Sequence, residues 1–241
     1  MVNMFLKYKP VGITLNEQIN ELKKVENCNK ICYAGRLDPM AHGLMIYLKN
    51  EECKSVQSYL GLDKTYRFKI ICGISTDTYD ILGKINSYSD KFIDTDKLDN
   101  NINIFIGEYN QEYPPFSSKV VNDKPLWKHA LDNTLNNIKI PKKKINIYNL
   151  KIISKTKINF RNLQENVIYK INLLKSDNFR KDEIIKDWES LNLSELSILE
   201  MEADVSSGTY IRSLSQRIGN YFNCPTVIYD IFRTRIGNFN L

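Results

Sequence analysis

Histidine is nearly absent from this 241-residue chain, with only His42 and His129. The two lie far apart, and no H-E-x-x-H helix or paired Cys/His spacing accompanies them, so the sequence offers no zinc site. Cysteine is sparse too. Cys28, Cys32, Cys53, Cys72 and Cys224 are odd in number and irregular in spacing. That excludes a disulfide framework and predicts reduced, mostly buried thiols. There is no G-x-G-x-x-G and no P-loop, so no nucleotide cofactor is expected. A Ser-His-Asp hydrolase has no G-x-S-x-G to stand on. No run of about eighteen apolar residues exists, and nothing reads as a signal or transit peptide. These absences predict a soluble, cytoplasmic protein with no membrane partner, cofactor or metal. No internal repeat or linker breaks the chain, so one domain over residues 1–241 is expected.

Residues of hydrophobic type make up 42% and charged ones 26%, which is enough apolar material for a real core and rules out a disordered chain. The net charge of +6 leans towards polyanions such as nucleic acid. An A+T-rich genome also supplies lysine, asparagine and isoleucine, which are abundant here.

Periodicity gives a coarse order of elements. Met4 to Tyr8 reads as a strand. A Pro-Gly turn leads to Thr14 and Glu17, which fit a capping box. The following helix carries Leu15, Ile19, Leu22 and Val25 on one side. Lys30 to Tyr33 and Leu44 to Leu48 read as buried strands around a loop, Tyr33 to Gly43. Glu51 to Leu60 suits a helix with Val56, Tyr59 and Leu60 inward, and Thr65 to Gly73 a strand. Thr95 to Tyr109 looks helical, and Pro114-Pro115 favours an extended segment through Val121. Leu126 to Leu135 is expected as a short helix, Ile145 to Ile153 and Val167 to Leu174 as strands. Asn178 to Leu193 reads as a surface helix inside an insertion spanning Ser176 to Glu195. Leu196 to Val205 returns to strand, Tyr210 to Tyr221 to helix, and Thr226 to Ile231 and Ile236 to Leu241 close the chain. The whole predicts an α+β fold, strand-dominated, with helices laid on the sheet.

The loop Gly35-Arg36-Leu37-Asp38-Pro39-Met40-Ala41-His42-Gly43 holds a carboxylate between two strands, stiffened by proline and flanked by glycines. An ordinary Asp-Pro turn fits that loop equally well. Other segments decide for chemistry. The loop resembles the catalytic loop of pseudouridine synthases, most closely the TruB type, which isomerises uridine 55 in the T loop of tRNA. Lys9-Pro10-Val11-Gly12-Ile13-Thr14 resembles that family's opening turn, and Lys64-Thr65-Tyr66-Arg67 its Lys-x-Tyr-Arg segment. Thr76-Asp77-Thr78-Tyr79-Asp80 is similar to its Thr-Asp-Thr-x-Asp loop. Phe116-Ser117-Ser118, Asn122 and Lys124-Pro125-Leu126 match more loosely. Gly208-Thr209-Tyr210-Ile211-Arg212 matches letter for letter, and Ile231 to Gly237 resembles the closing motif. The seven motifs stand in the family's order from Lys9 to Gly237.

The resemblance implies a mixed, mainly antiparallel sheet flanked by helices, with a central RNA-binding cleft. It implies Asp38 as the nucleophile that bonds covalently to the nucleotide, at the sugar or at the base. Arg212 is implied as the ion-pair partner that keeps Asp38 ionised. Tyr66 is implied to stack on the target base and to help remove the C5 proton, although a packed strand tyrosine fits it as well. Tyr210 and Ile231 correspond to positions lining the uridine pocket, and core packing suits Ile231 equally. The base must leave its stack, which aromatic surfaces and a basic rim would offset. Rim candidates are Lys9, Lys64, Lys119, Lys142, Lys143, Lys144, Arg233 and Arg235.

The chain departs from the family in places. Tyr33 stands where bacterial members usually carry the histidine that holds flipped RNA, and is expected to substitute for it. Arg36 replaces a smaller residue and suits a phosphate contact or a different target. His42 replaces a common threonine and is expected to be structural. The chain ends soon after Arg233, so the C-terminal PUA domain of many members is not expected. This speaks against the guide-RNA-dependent branch. The expectation is a monomer acting on the T stem-loop of tRNA with no obligate protein partner. Two rivals stand beside it, a synthase for another RNA and a non-catalytic tRNA-binding or tRNA-folding protein.

Overall fold

The computed structural model describes residues 4–176 and 179–241. Nine strands form one twisted sheet: β1 (Met4–Lys9), β2 (Ile31–Ala34), β3 (Ala41–Lys49), β4 (Lys64–Cys72), β5 (Gly107–Glu112), β6 (Lys142–Asn159), β7 (Glu195–Val205), β8 (Thr226–Ile236) and β9 (Phe239–Asn240). The order across the sheet is β1-β3-β8-β4-β7-β6-β5, with β2 also on β3 and β9 on β8. Every pairing in it is antiparallel except β3 with β8. Among the described residues, six α-helices of six or more residues accompany the sheet, α1 (Leu15–Val25), α2 (Thr95–Asn101), α3 (Leu126–Leu131), α4 (Phe160–Asn172), α5 (Lys181–Ser190) and α6 (Ile211–Tyr221), together with a single α turn at Gln57–Leu60. This is the mixed α+β, mainly antiparallel architecture that the motifs implied. No described helix is long and apolar enough to cross a membrane.

Period-two alternation sorts β4 onto two faces. Tyr66, Phe68, Ile70 and Cys72 point into a core that α1, α2 and α6 also fill, whereas Ile71 faces a second core built by α4 and α5. The capping box at α1 forms as expected, with Thr14 and Glu17 each accepting from the other's backbone N–H. Leu15 and Leu22 are buried there, but Val25 in the last turn is 73% exposed.

Several expected elements differ. Val167 to Leu174 is not a strand but part of α4 and the turn after it. Phe160, Leu163, Val167 and Ile171 repeat at helical spacing once the Asn159 cap is taken as the start. Thr95 to Tyr109 is helical only to Phe105, with the last turn a 3-10 helix, because Gly107 turns at φ 98° into β5. Glu51 to Leu60 is a 3-10 turn followed by a single α turn, and α3 stops at Leu131. The Pro114-Pro115 segment turns before a two-residue strand at Val120–Val121. Strand β3 begins at Ala41, so His42 and Gly43 belong to the sheet and the loop is shorter than expected. Within the expected insertion, Ser176 to Glu195, α5 packs on α4 as the second arm of a helical hairpin between β6 and β7, with Ile184 and Trp188 fully buried. Residues 177 and 178, within the expected insertion, lie outside the described residues.

Candidate active site

Strands β2 and β3 pair only through Ile31–Ala34 and Ile46–Lys49. Beyond that, β8 takes over the same edge of β3, with Ile231, Phe232 and Arg233 running parallel to Ala41, His42 and Gly43. Residues 35–40 are thereby displaced into a loop over the sheet. Gly35 turns it at φ 82°. The amide of Ala41 donates to the carbonyl of Asp38 at 3.0 Å, and the amide of Gly12 donates to the carbonyl of Pro39 at 3.0 Å. The loop forms part of a cleft of about 700 Å³. That volume suits a nucleotide and its neighbours.

Arg212, in the first turn of α6, reaches into this cleft from the opposite side. Its Nε donates to Asp38 Oδ2 at 2.8 Å, Nη1 to the Thr78 carbonyl at 2.7 Å and Nη2 to the Phe116 carbonyl at 3.2 Å. A second carboxylate, Asp80, lies 3.8 Å from the same Nε. Burial disfavours the charged guanidinium, but Asp38 and Asp80 outweigh it and raise its pKa. Burial is also the largest influence on Asp80 and raises its pKa against the pull of Arg212. The Arg212 side chain is 3% exposed and that of Asp38 30%, so the cation is sealed while the carboxylate faces the cleft. An anion held this way is fixed in geometry and open to the cleft.

Tyr66 and Ile231 line the cleft beside Asp38, each 7% exposed. Tyr210 caps α6 and lies edge-on to Tyr113 at 5.7 Å. Burial and then the Asp38 charge raise its phenol pKa. Arg36 stands at the mouth, its guanidinium donating to Ser118 Oγ at 2.6 Å and to Tyr33 Oη at 3.0 Å. Tyr33 itself is not among the residues lining the cleft. Lys119 is exposed outside it, 5.5 Å from the centre of the Tyr113 ring.

Three of the expected rim cations are buried instead. Lys9 is inaccessible, and its Nζ donates to the carbonyls of Pro10, Pro39 and Ala41 at 3.0, 3.2 and 2.7 Å. Burial pulls its pKa to about 8, with Asp38 acting the other way. It is a brace under the Asp38 loop. Lys64 also has a pKa lowered to about 8 by burial and then by Arg233. Its Nζ donates to the carbonyls of Leu60 and Leu62, although part of the side chain still lines the cleft. Arg233 donates to the carbonyls of Leu44 and Arg36 at 2.8 and 3.3 Å. Gly43 makes this possible, since a Cβ there would lie 2.3 Å from the Arg233 carbonyl oxygen. Lys142, Lys144 and Arg235 are ion-paired with Glu112, Glu108 and Asp204 at 3.0, 2.7 and 3.0 Å. Lys143 reaches the cleft wall.

Residues 23–169, more than half the chain, match the family model described as TruB family pseudouridylate synthase (N terminal domain). The chain belongs to the TruB family. Its relatives include the tRNA pseudouridine synthase B of Aquifex aeolicus, 30% identical over 97% of this chain and 68% of that protein. The protein of the same name from Blochmanniella pennsylvanica is 30% identical over 96% of this chain and 73% of its own length. A crystal structure of a Cbf5-Nop10-Gar1 complex contains a chain that superposes with a TM-score of 0.61 at 18% identity, over 98% of this chain and 49% of that one. At that identity the likeness shows the shared fold. TruB membership makes the chain an enzyme that isomerises uridine to pseudouridine.

Sequence reasoning missed three residues of this TruB site. Asp80 sits in a quoted motif, but its place on Arg212 depends on a contact between positions 132 residues apart. Ser117 Oγ is buried in the cleft wall with no hydrogen-bond partner among the described residues. Arg180, assigned to a surface insertion, lines the cleft with Phe179. Ser117 stands in the loosely matching Phe116-Ser117-Ser118 segment, whereas no local pattern marks Arg180.

Proposed function

We propose that the substrate is tRNA, that the target is position 55 of the T loop, and that Asp38 is the nucleophile. The observation that carries this is the Asp38–Arg212 pair at 2.8 Å, with the cation sealed and the carboxylate open to the cleft. The tRNA substrate is taken from the relatives' names. One catalytic unit over residues 1–241, working as a cytoplasmic monomer, completes the proposal.

Uridine and pseudouridine are isomers. The C1′–N1 bond breaks, a C1′–C5 bond forms, and the proton leaves C5 while N1 gains one. If Asp38 bonds to the sugar, the uracil leaves as an anion; if it bonds to the base, the charge again passes to the uracil. Either way the carboxylate loses its charge, and Arg212 is left buried. Asp80, 3.8 Å away, then supplies the counter-charge. Tyr66 flanks the base and stands where the C5 proton is removed. The unpartnered Ser117 hydroxyl supplies a donor or acceptor for the uracil edge.

The test is Asp38→Asn. We expect no detectable tritium release from C5-labelled tRNA, with tRNA affinity within about threefold of the wild type. Turnover by that variant would remove Asp38 from the nucleophile's role.

A further inference from the structure

The loop between α4 and α5 reaches the cleft at Phe179 and Arg180. Arg180 adopts φ 54°, a left-handed conformation that non-glycine residues rarely take. Its guanidinium grips both oxygens of Asp77, Nη1 to Oδ2 at 2.7 Å and Nη2 to Oδ1 at 3.2 Å. The same group lies 4.7 Å from the centre of the Phe116 ring.

These two partners are not arbitrary. Asp77 precedes Thr78, whose carbonyl accepts Arg212 Nη1 at 2.7 Å. Phe116 itself provides the carbonyl that accepts Arg212 Nη2 at 3.2 Å. Arg180 therefore clasps both backbone segments that orient Arg212. It is not required to fasten the hairpin. Lys84–Glu183 at 2.9 Å, the Ile85 amide on Asp187 Oδ2 at 3.2 Å, and the buried Ile184 and Trp188 already do that. A planar, bidentate guanidinium that also stacks on an aromatic ring fixes orientation better than an ammonium can.

We propose that Arg180 is a positioning residue of the isomerisation, acting through the Thr78 and Phe116 carbonyls on Arg212 and so on Asp38. This rests on Asp38 being the nucleophile. It makes the helical hairpin of α4 and α5 a working part of the active site.

The test compares Arg180→Ala, Arg180→Lys and Asp77→Asn with Asp38→Asn, using the whole protein and a tRNA transcript that the wild type modifies. Single-turnover rates at saturating enzyme separate chemistry from binding. Arg180→Ala should slow the chemical step about tenfold or more while the Kd changes by less than about threefold. Arg180→Lys should recover part of the rate. The Arg180→Ala/Asp77→Asn double variant should be no slower than the slower single one. A saturating rate within about twofold of wild type would overturn the proposal. So would a weakened Kd with an unchanged saturating rate, which would make Arg180 an RNA contact. If Arg180→Ala fails to fold, Asp77→Asn decides alone, since it keeps the volume and removes the ion pair. Activity in Asp38→Asn would refute the nucleophile independently, whatever the Arg180 variants do.

Discussion

Acid should loosen this fold through Asp230, and the size of the effect follows from its surroundings. Asp230 on β8 accepts from Lys170 Nζ of α4 at 2.9 Å and contacts His42 Nε2 of β3 at 3.1 Å. It therefore ties the helical hairpin and the strand after the Asp38 loop to one position on the sheet. Burial opposes its charge, but His42 and Lys170 outweigh burial and hold the pKa at about 2, against the ordinary 3.8. Its side chain is only 20% exposed, so solvent screening removes little. The difference of nearly two pH units corresponds to about 2 kcal/mol of stability. The folded pKa is depressed, so this stability is fully present well above pH 4 and is lost as pH falls through 4 towards 2. About half remains at pH 3. Urea unfolding of the wild type and Asp230→Asn at pH 5 and pH 3 isolates the contribution. The gap between the two proteins should be about 2 kcal/mol at pH 5 and about half that at pH 3. A gap that stays constant over this range would refute the role assigned to the Asp230 carboxylate.

Lys9→Met removes the donor shared by the Pro10, Pro39 and Ala41 carbonyls and should slow turnover about tenfold or more, measured in single turnover. The stability loss should stay near 1–3 kcal/mol in urea unfolding, because removing a buried ammonium offsets part of the lost bonding. Gly43→Ala brings a Cβ to 2.3 Å from the Arg233 carbonyl oxygen at a φ of 118°. It should destabilise the fold by about 3 kcal/mol or more, read by urea unfolding.

Much of the fold was legible where one physical signal acted alone. The Thr14–Glu17 box, the alternation of β4 and the Ile211, Leu214, Ile218 stripe of α6 are all local patterns, and each element formed. Residues 160–174 were misread because Val167 to Leu174 alone satisfies a strand's composition; only Phe160 and Leu163 reveal the longer helical period. Among site residues, Asp38, Tyr66, Tyr210, Arg212 and Ile231 converge on one cleft as the motifs implied. Lys9, Lys64 and Arg233 mark the limit of that reading. A lysine or arginine in a sequence carries no sign of whether its charge faces solvent, and here all three are buried, Lys9 and Arg233 beside the parallel contact of β3 with β8 and Lys64 over the Leu60 and Leu62 carbonyls. Asp80 and Arg180 were illegible for a related reason: each matters through a partner brought close only by tertiary packing.

One guanidinium between two carboxylates is an uneconomical way to hold a fold together. A buried ion pair is often replaceable by apolar residues without loss of stability. A third charged group raises the burden, as the elevated Asp80 pKa records. On the proposed mechanism the arrangement fits the reacting state better than the resting one. At rest, Asp38 sits 2.8 Å from Arg212 Nε and Asp80 3.8 Å, so the outward carboxylate holds the closer contact. Once Asp38 has bonded to the nucleotide, its charge lies on the uracil and Asp80 is the carboxylate left beside Arg212 within the wall. Transfer of the closer contact from Asp38 to Asp80 needs a shift of about an ångström in a guanidinium that the Thr78 and Phe116 carbonyls already steer. The protein thus never has to bury an unpaired cation during the reaction. The same cluster explains why Arg180 matters at a distance: the carbonyls that guide the shift are the ones it holds.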